Sequence, residues 1–166
     1  TGTTSLQILL RSNREILSAK GYLYPEAVGP GSIRHRYLYT FSKESNEINN
    51  NLLTKLGSKN LQELEESSKN WINDVCSKKN NSKKVIMSDE NLSNCNRNEI
   101  KKLHNILNSK FKKITVHLTI RNHSDLMISE YKQRISASLC PDSFPAFCRN
   151  KYKNRMFRFY EILNDY

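Results

Sequence analysis

The chain opens Thr1-Gly2-Thr3-Thr4-Ser5-Leu6-Gln7, and this hydroxyl-rich loop runs straight into a periodic segment that ends near Lys20-Gly21. Over 5–19 the apolar residues Leu6, Leu9, Leu10, Ile16 and Leu17 recur at helical spacing, with Arg11, Asn13, Arg14 and Glu15 mostly on the other side. That pattern predicts an amphipathic helix. A loop that feeds a helix leaves the first N–H groups unpaired, with the positive end of the helix dipole behind them. Gly2 permits close approach of a ligand, and the hydroxyls of Thr1, Thr3, Thr4 and Ser5 can donate to phosphate-like oxygens. The same residues also suffice as a plain N-cap, so the loop alone leaves both roles open.

Working outward, Tyr22-Leu23-Tyr24-Pro25 reads as a short extended segment, because a residue before proline is pushed out of the α region. The Gly/Pro-rich stretch 26–32 is a loop leading to His35, followed by a helical segment over 33–41 and an Asn-rich loop over 46–51. Leu61, Leu64, Ser68, Trp71, Ile72 and Val75 predict a helix within 60–79; Ile100, Leu103, Ile106 and Leu107 predict another over 97–110. Val85-Ile86-Met87 reads as a buried strand that stops at Ser88-Asp89-Glu90, and 114–120 as the strongest strand, stopping at Arg121-Asn122-His123. A helix over 124–138, a packed loop over 139–148 and a closing helix carrying Tyr152, Met156 and Leu163 complete the chain. Strands alternating with helices imply an α/β fold with a mainly parallel sheet. Ligands of such sheets bind beyond the strands' carboxyl ends, so Ser88–Glu90 and Arg121–His123 are expected to share an edge with the opening loop.

The length of 166 residues fits a single domain over 1–166. No run approaches the length of a membrane span, and no signal peptide is visible. The net charge of +11 invites a nucleic-acid reading, but twenty asparagines accompany the lysines, which points to a Lys/Asn compositional bias. No nucleic-acid partner is therefore expected; an anionic cofactor or acidic acceptor still suits the charge. Cys76, Cys95, Cys140 and Cys148 lack metal-like spacing, so free thiols are expected, with a Cys140–Cys148 disulfide as the alternative.

Arg121 is followed eight residues later by Ser129 and ten later by Tyr131. A guanidinium at a strand's end and a hydroxyl two turns into the next helix can converge on one phosphate, the alternative being a surface pair of Arg121 with Asp125. Here a resemblance enters. The stretch 1–7 resembles the loop of sulfotransferases that holds the 5′-phosphosulfate of 3′-phosphoadenylyl sulfate, and Arg121 with Ser129-Glu130-Tyr131 is similar to the family's 3′-phosphate signature. Tyr22–Pro25 and 85–93 also look like segments of bacterial sulfotransferase-like proteins.

The resemblance implies a P-loop NTPase-like three-layer fold, with a mainly parallel sheet flanked by helices. It implies transfer of a sulfuryl group from 3′-phosphoadenylyl sulfate to a hydroxyl or amine acceptor, carbohydrate by default, without a metal. Thr1, Gly2, Thr3, Thr4, Ser5, Arg121 and Ser129 would bind the donor. The catalytic residues would be His35, preferred as base for its ordinary pKa, and Glu90, as base or orienting group; Glu26 is a third choice for base. The family's lysine before Thr1 and the strand before it are not in this sequence, so the chain is expected to be incomplete at its amino end, with its carboxyl end left open. Without that lysine the leaving oxygen lacks its main electrostatic partner. A cytoplasmic location is expected if the source is bacterial. The rival readings are another P-loop nucleotide enzyme of small-kinase type and a basic, non-enzymatic binding module.

Overall fold

A computed structural model describes residues 3–29, 32–78, 84–139, 142–151 and 159–165. The chain divides into two compact units, residues 2–114 and residues 115–166.

The first unit runs α1 (Thr3–Ser12), α2 (Arg14–Ala19), β1 (Tyr22–Leu23), α3 (Tyr37–Ser42), α4 (Asn50–Leu56), α5 (Leu61–Lys78), β2 (Lys84–Val85) and α6 (Arg97–Asn108), with 3-10 turns at Ser45–Glu47 and Glu90–Asn94. α5 buries Leu64, Ser68, Trp71, Ile72 and Val75, a single stripe at helical spacing. These residues form one core with Tyr37 and Leu38 of α3, Leu53 and Leu56 of α4, and Leu103 and Leu107 of α6. α6 starts in a capping box, in which Asn96 accepts the Glu99 N–H at 3.1 Å and the Glu99 carboxylate accepts the Asn96 N–H at 2.7 Å. Glu99 also pairs with Lys43, tying α6 to the end of α3. The segment after Pro25 is pinned at Gly29, whose φ is +94° and where a Cβ would stand 2.2 Å from the Lys55 carbonyl oxygen.

β1 and β2 pair in parallel, with Tyr22 opposite Lys84 and Leu23 opposite Val85. The Ile86 N–H donates to the Leu23 carbonyl at 2.8 Å, which carries the ladder toward Ser88.

The expected three-layer P-loop fold is not formed. The described residues are mostly helical, and their only strands are β1 and β2, two residues each. A strand exists only through the ladder it joins. Residues 113–122 have strong β propensity but no ladder partner among the described residues, and Val116, Leu118 and Ile120 are left exposed. The Asn-rich loop also departs from expectation, because Asn49 accepts the Leu52 N–H at 3.0 Å and starts α4 inside it.

The second unit contains α7 (His123–Ser136), α8 (Phe144–Lys151) and α9 (Phe159–Asp165). Leu126, Met127 and Phe147 form its small core, with Tyr131 and Cys148 packed against it. The Tyr131 ring lies 5.0 Å from that of Phe144 and 5.2 Å from that of Phe147. The expected closing-helix positions Tyr152 and Met156 lie outside the described residues. No described helix is long and apolar enough to cross a membrane.

Candidate functional site

α1 meets the rest of its unit through a polar stripe. Thr3 and Gln7, one turn apart, and Arg14, at the start of α2, fall on a common side, and each reaches another element. Thr3 Oγ1 donates to Glu90 Oε2 at 3.4 Å. Gln7 Nε2 donates to Ser88 Oγ at 2.9 Å. Arg14 donates from Nε to the Tyr24 carbonyl at 3.0 Å and from Nη2 to the Pro25 carbonyl at 2.7 Å, and it forms an ion pair with Glu26. The first turn of α1 and the segment after β2 are thus neighbours across more than eighty residues of chain. Thr3 is half-buried, and Thr4 and Ser5 are exposed beside it. Thr1 and Gly2 lie outside the described residues.

Glu90 begins the 3-10 turn and is held on both carboxylate oxygens: Arg34 Nη1 lies 2.6 Å from Oε1, and the Thr3 hydroxyl meets Oε2. Ser93 Oγ donates to the Glu90 carbonyl at 2.8 Å, which fixes the backbone there. The preceding residue, Asp89, is buried and caps the turn by accepting the Asn91 N–H at 3.0 Å. Burial raises its pKa from 3.8 to about 6; the Asn91 N–H and the charges of Arg34 and Arg36 act the other way.

His35 is fully buried. Its Nδ1 accepts the Ser88 N–H at 2.8 Å and its Nε2 lies 3.0 Å from the Pro25 carbonyl oxygen. A carbonyl only accepts and an amide N–H only donates, so the ring is the neutral tautomer with the proton on Nε2. Burial pushes its pKa below the ordinary value, which keeps it neutral; the bond to Pro25 opposes this shift. Both ring nitrogens are committed to backbone groups, and neither offers a lone pair to a substrate. Glu26, the third choice for base, faces Arg14 instead. It lines a cleft of about 290 Å³ with Arg14, Tyr22, Tyr24, Pro25 and Asp74.

In the second unit, Arg121 is exposed just before Asn122, which caps α7 by accepting the Ser124 N–H at 3.0 Å. Ser129 is half-buried two turns along the same helix. The residues expected to bind the donor therefore divide between the units, Thr3, Thr4 and Ser5 in one, Arg121 and Ser129 in the other. Cys76, Cys95 and Cys148 are free thiols. No cluster of three His, Cys, Asp or Glu able to hold a metal occurs among the described residues.

Gln7, Arg14, Arg34 and Ser88 were not singled out as site residues by the sequence. One signal pointed to two of them: Thr3, Gln7 and Arg14 recur at helical spacing on one side of the segment, a side they share with Leu10. Comparison of the chain with protein-family models, with characterised proteins and with solved structures gave no match.

Proposed function

We propose that the chain transfers a sulfuryl group from 3′-phosphoadenylyl sulfate to a hydroxyl or amine acceptor, with carbohydrate as the expected acceptor class. The observation that carries this reading is the meeting of α1's first turn with Glu90, marked by the 3.4 Å contact of the Thr3 hydroxyl with the carboxylate. The first turn supplies the exposed hydroxyls of Thr4 and Ser5 and the positive dipole end, all suited to a phosphosulfate. Glu90 supplies a carboxylate at the same place, where an acceptor's proton must go.

In the reaction, the acceptor oxygen or nitrogen attacks sulfur in line, and the bond from sulfur to the bridging phosphate oxygen breaks. The acceptor's proton passes to Glu90, and the electron pair leaves with the nucleotide phosphate, whose new charge the start of α1 stabilises. Arg34 orients the carboxylate through its other oxygen. His35, with both nitrogens engaged, is replaced by Glu90 as base. Arg121 and Ser129 are assigned the 3′-phosphate on their resemblance to the family signature, and the geometry of the second unit adds only that both lie on or beside α7.

The test is transfer of radiolabelled sulfate from the donor to a panel of carbohydrate acceptors. Glu90→Gln should bind donor like the parent and turn over roughly 10²–10⁴-fold more slowly. A variant as fast as the parent removes Glu90 from the reaction. Nucleotide affinity that falls steeply with salt and ignores Arg121→Ala would instead favour the basic binding module.

A further inference from the structure

His35 holds one residue twice. Its ring accepts the Ser88 N–H at 2.8 Å, and its own backbone N–H donates to the Ser88 carbonyl at 2.9 Å. The far side of the ring bonds to the Pro25 carbonyl at 3.0 Å, which also accepts from Arg14 at 2.7 Å. Tyr24 packs edge-on against the imidazole at 4.7 Å between centroids, and Trp71 lies 5.9 Å away. From the other side, Gln7 donates to the Ser88 hydroxyl. Ser88 is two residues before Glu90, so this clamp joins the 24–26 loop to the segment after β2 that α1 reaches through Gln7.

We propose that His35 is a positioning residue: by gripping Ser88 on both sides it sets the distance of the Glu90 carboxylate from the first turn of α1, and it exchanges no proton with substrate. This deepens the reading of Glu90 as base and rests on it. The role requires a neutral ring, since a proton on Nδ1 would face the Ser88 N–H donor to donor. It also requires rigidity, because a carboxylate displaced by about 1 Å from its productive place can lose roughly a hundredfold in rate.

Two substitutions separate positioning from proton transfer. His35→Asn can keep an acceptor oxygen where Nδ1 stood; His35→Ala removes it. Amide exchange at Ser88 and turnover of labelled donor are measured on the whole chain. The Asn variant should keep Ser88 protected and turn over within roughly tenfold of the parent, while the Ala variant loses the protection and roughly a hundredfold in kcat with little change in donor KM. An Asn variant that protects Ser88 yet is as slow as Ala would overturn the proposal, because the ring itself would then be the proton acceptor.

His35 lies in the core, so the unaltered chain gives a second arm. The ¹⁵N spectrum of its ring should report an Nε2–H tautomer that does not titrate between about pH 8 and 6.5, the range of an ordinary histidine. A ring protonated on Nδ1, or one that titrates normally, contradicts the clamp. If the unaltered chain transfers no sulfate, it is the sulfotransferase reading that fails, and Ser88 exchange with the ring tautomer still decides whether His35 fixes the end of β2.

Discussion

α6 and α1 are both amphipathic in sequence, and they turn opposite faces to the protein. α6 buries Ile100, Leu103 and Leu107, together with Glu99 through its pairing with Lys43, and leaves most of its other polar side chains to solvent. α1 buries Gln7, at 0 % exposure, and leaves Leu9 at 59 % and Leu6 at 47 %. Burying an amide is unfavourable unless it is bonded, whereas burying leucine is favourable. A helix in α6's orientation is explained by the core it completes. A helix in α1's orientation is explained by what its polar stripe reaches: Glu90, Ser88 and the carbonyls of Tyr24 and Pro25. The first is scaffold; the second is where we place the chemistry.

That contrast is broken most directly by truncating a leucine on each helix. Leu103→Ala should destabilise the first unit by about 2–5 kcal/mol, as expected for a buried leucine, while Leu9→Ala should stay within about 0.5 kcal/mol. Denaturant titration of both variants decides it, and a large loss from Leu9→Ala would mean that the apolar face of α1 is covered.

Asp89 sharpens the comparison by measuring what it takes to hold the segment that α1 reaches. Its folded pKa of about 6 lies above the unfolded value near 3.8, so the folded chain holds a proton that the unfolded chain releases. Its contribution to stability is greatest below pH 3.8 and falls as pH rises through the window to 6. Asp89→Asn, which keeps an acceptor for the Asn91 N–H, should therefore gain on the order of 2–3 kcal/mol at pH 7 and little at pH 4. Thermal melts across that range should converge at acid pH; parallel curves would refute the shift.

The start of α7 extends the contrast to a helix whose polar end is read as a phosphate site. Arg121→Ala should weaken adenosine 3′,5′-bisphosphate binding by about 1–3 kcal/mol without altering the melting of the first unit. Calorimetric titration that found no loss would detach this residue from the nucleotide.

Much of the scaffold was legible because it follows from local periodicity. The stripes of α5 and α6 predicted their buried residues almost one for one. Ser88 and Glu90 do meet the opening helix, as expected for one of the two polar ends, but the mainly parallel sheet from which that was argued is not formed, and Arg121–His123 belongs to the other unit. Which face α1 would bury was not legible, since that depends on partners far away in sequence. Residues 114–120 read as a strand because propensity is local, whereas a ladder is not. α8 was hidden by Pro145, which marks a loop in most settings but sits in the first turn of a helix that begins at Phe144, where a missing N–H is tolerated. His35 looked like a base because its ordinary pKa suits one; its burial and its two backbone partners come from Pro25 and Ser88, residues that no pattern connects to it.

The central claim is that the first turn of α1 and the end of β2 together receive the nucleotide's phosphosulfate end. The direct measurement is an NMR titration of the whole chain with adenosine 3′,5′-bisphosphate, following assigned amides. Saturable shifts at Thr3, Thr4 and Ser5, accompanied by Ser88 and Glu90, are the expected result. Saturable binding that leaves those five amides unmoved, or no binding at all, would contradict the account.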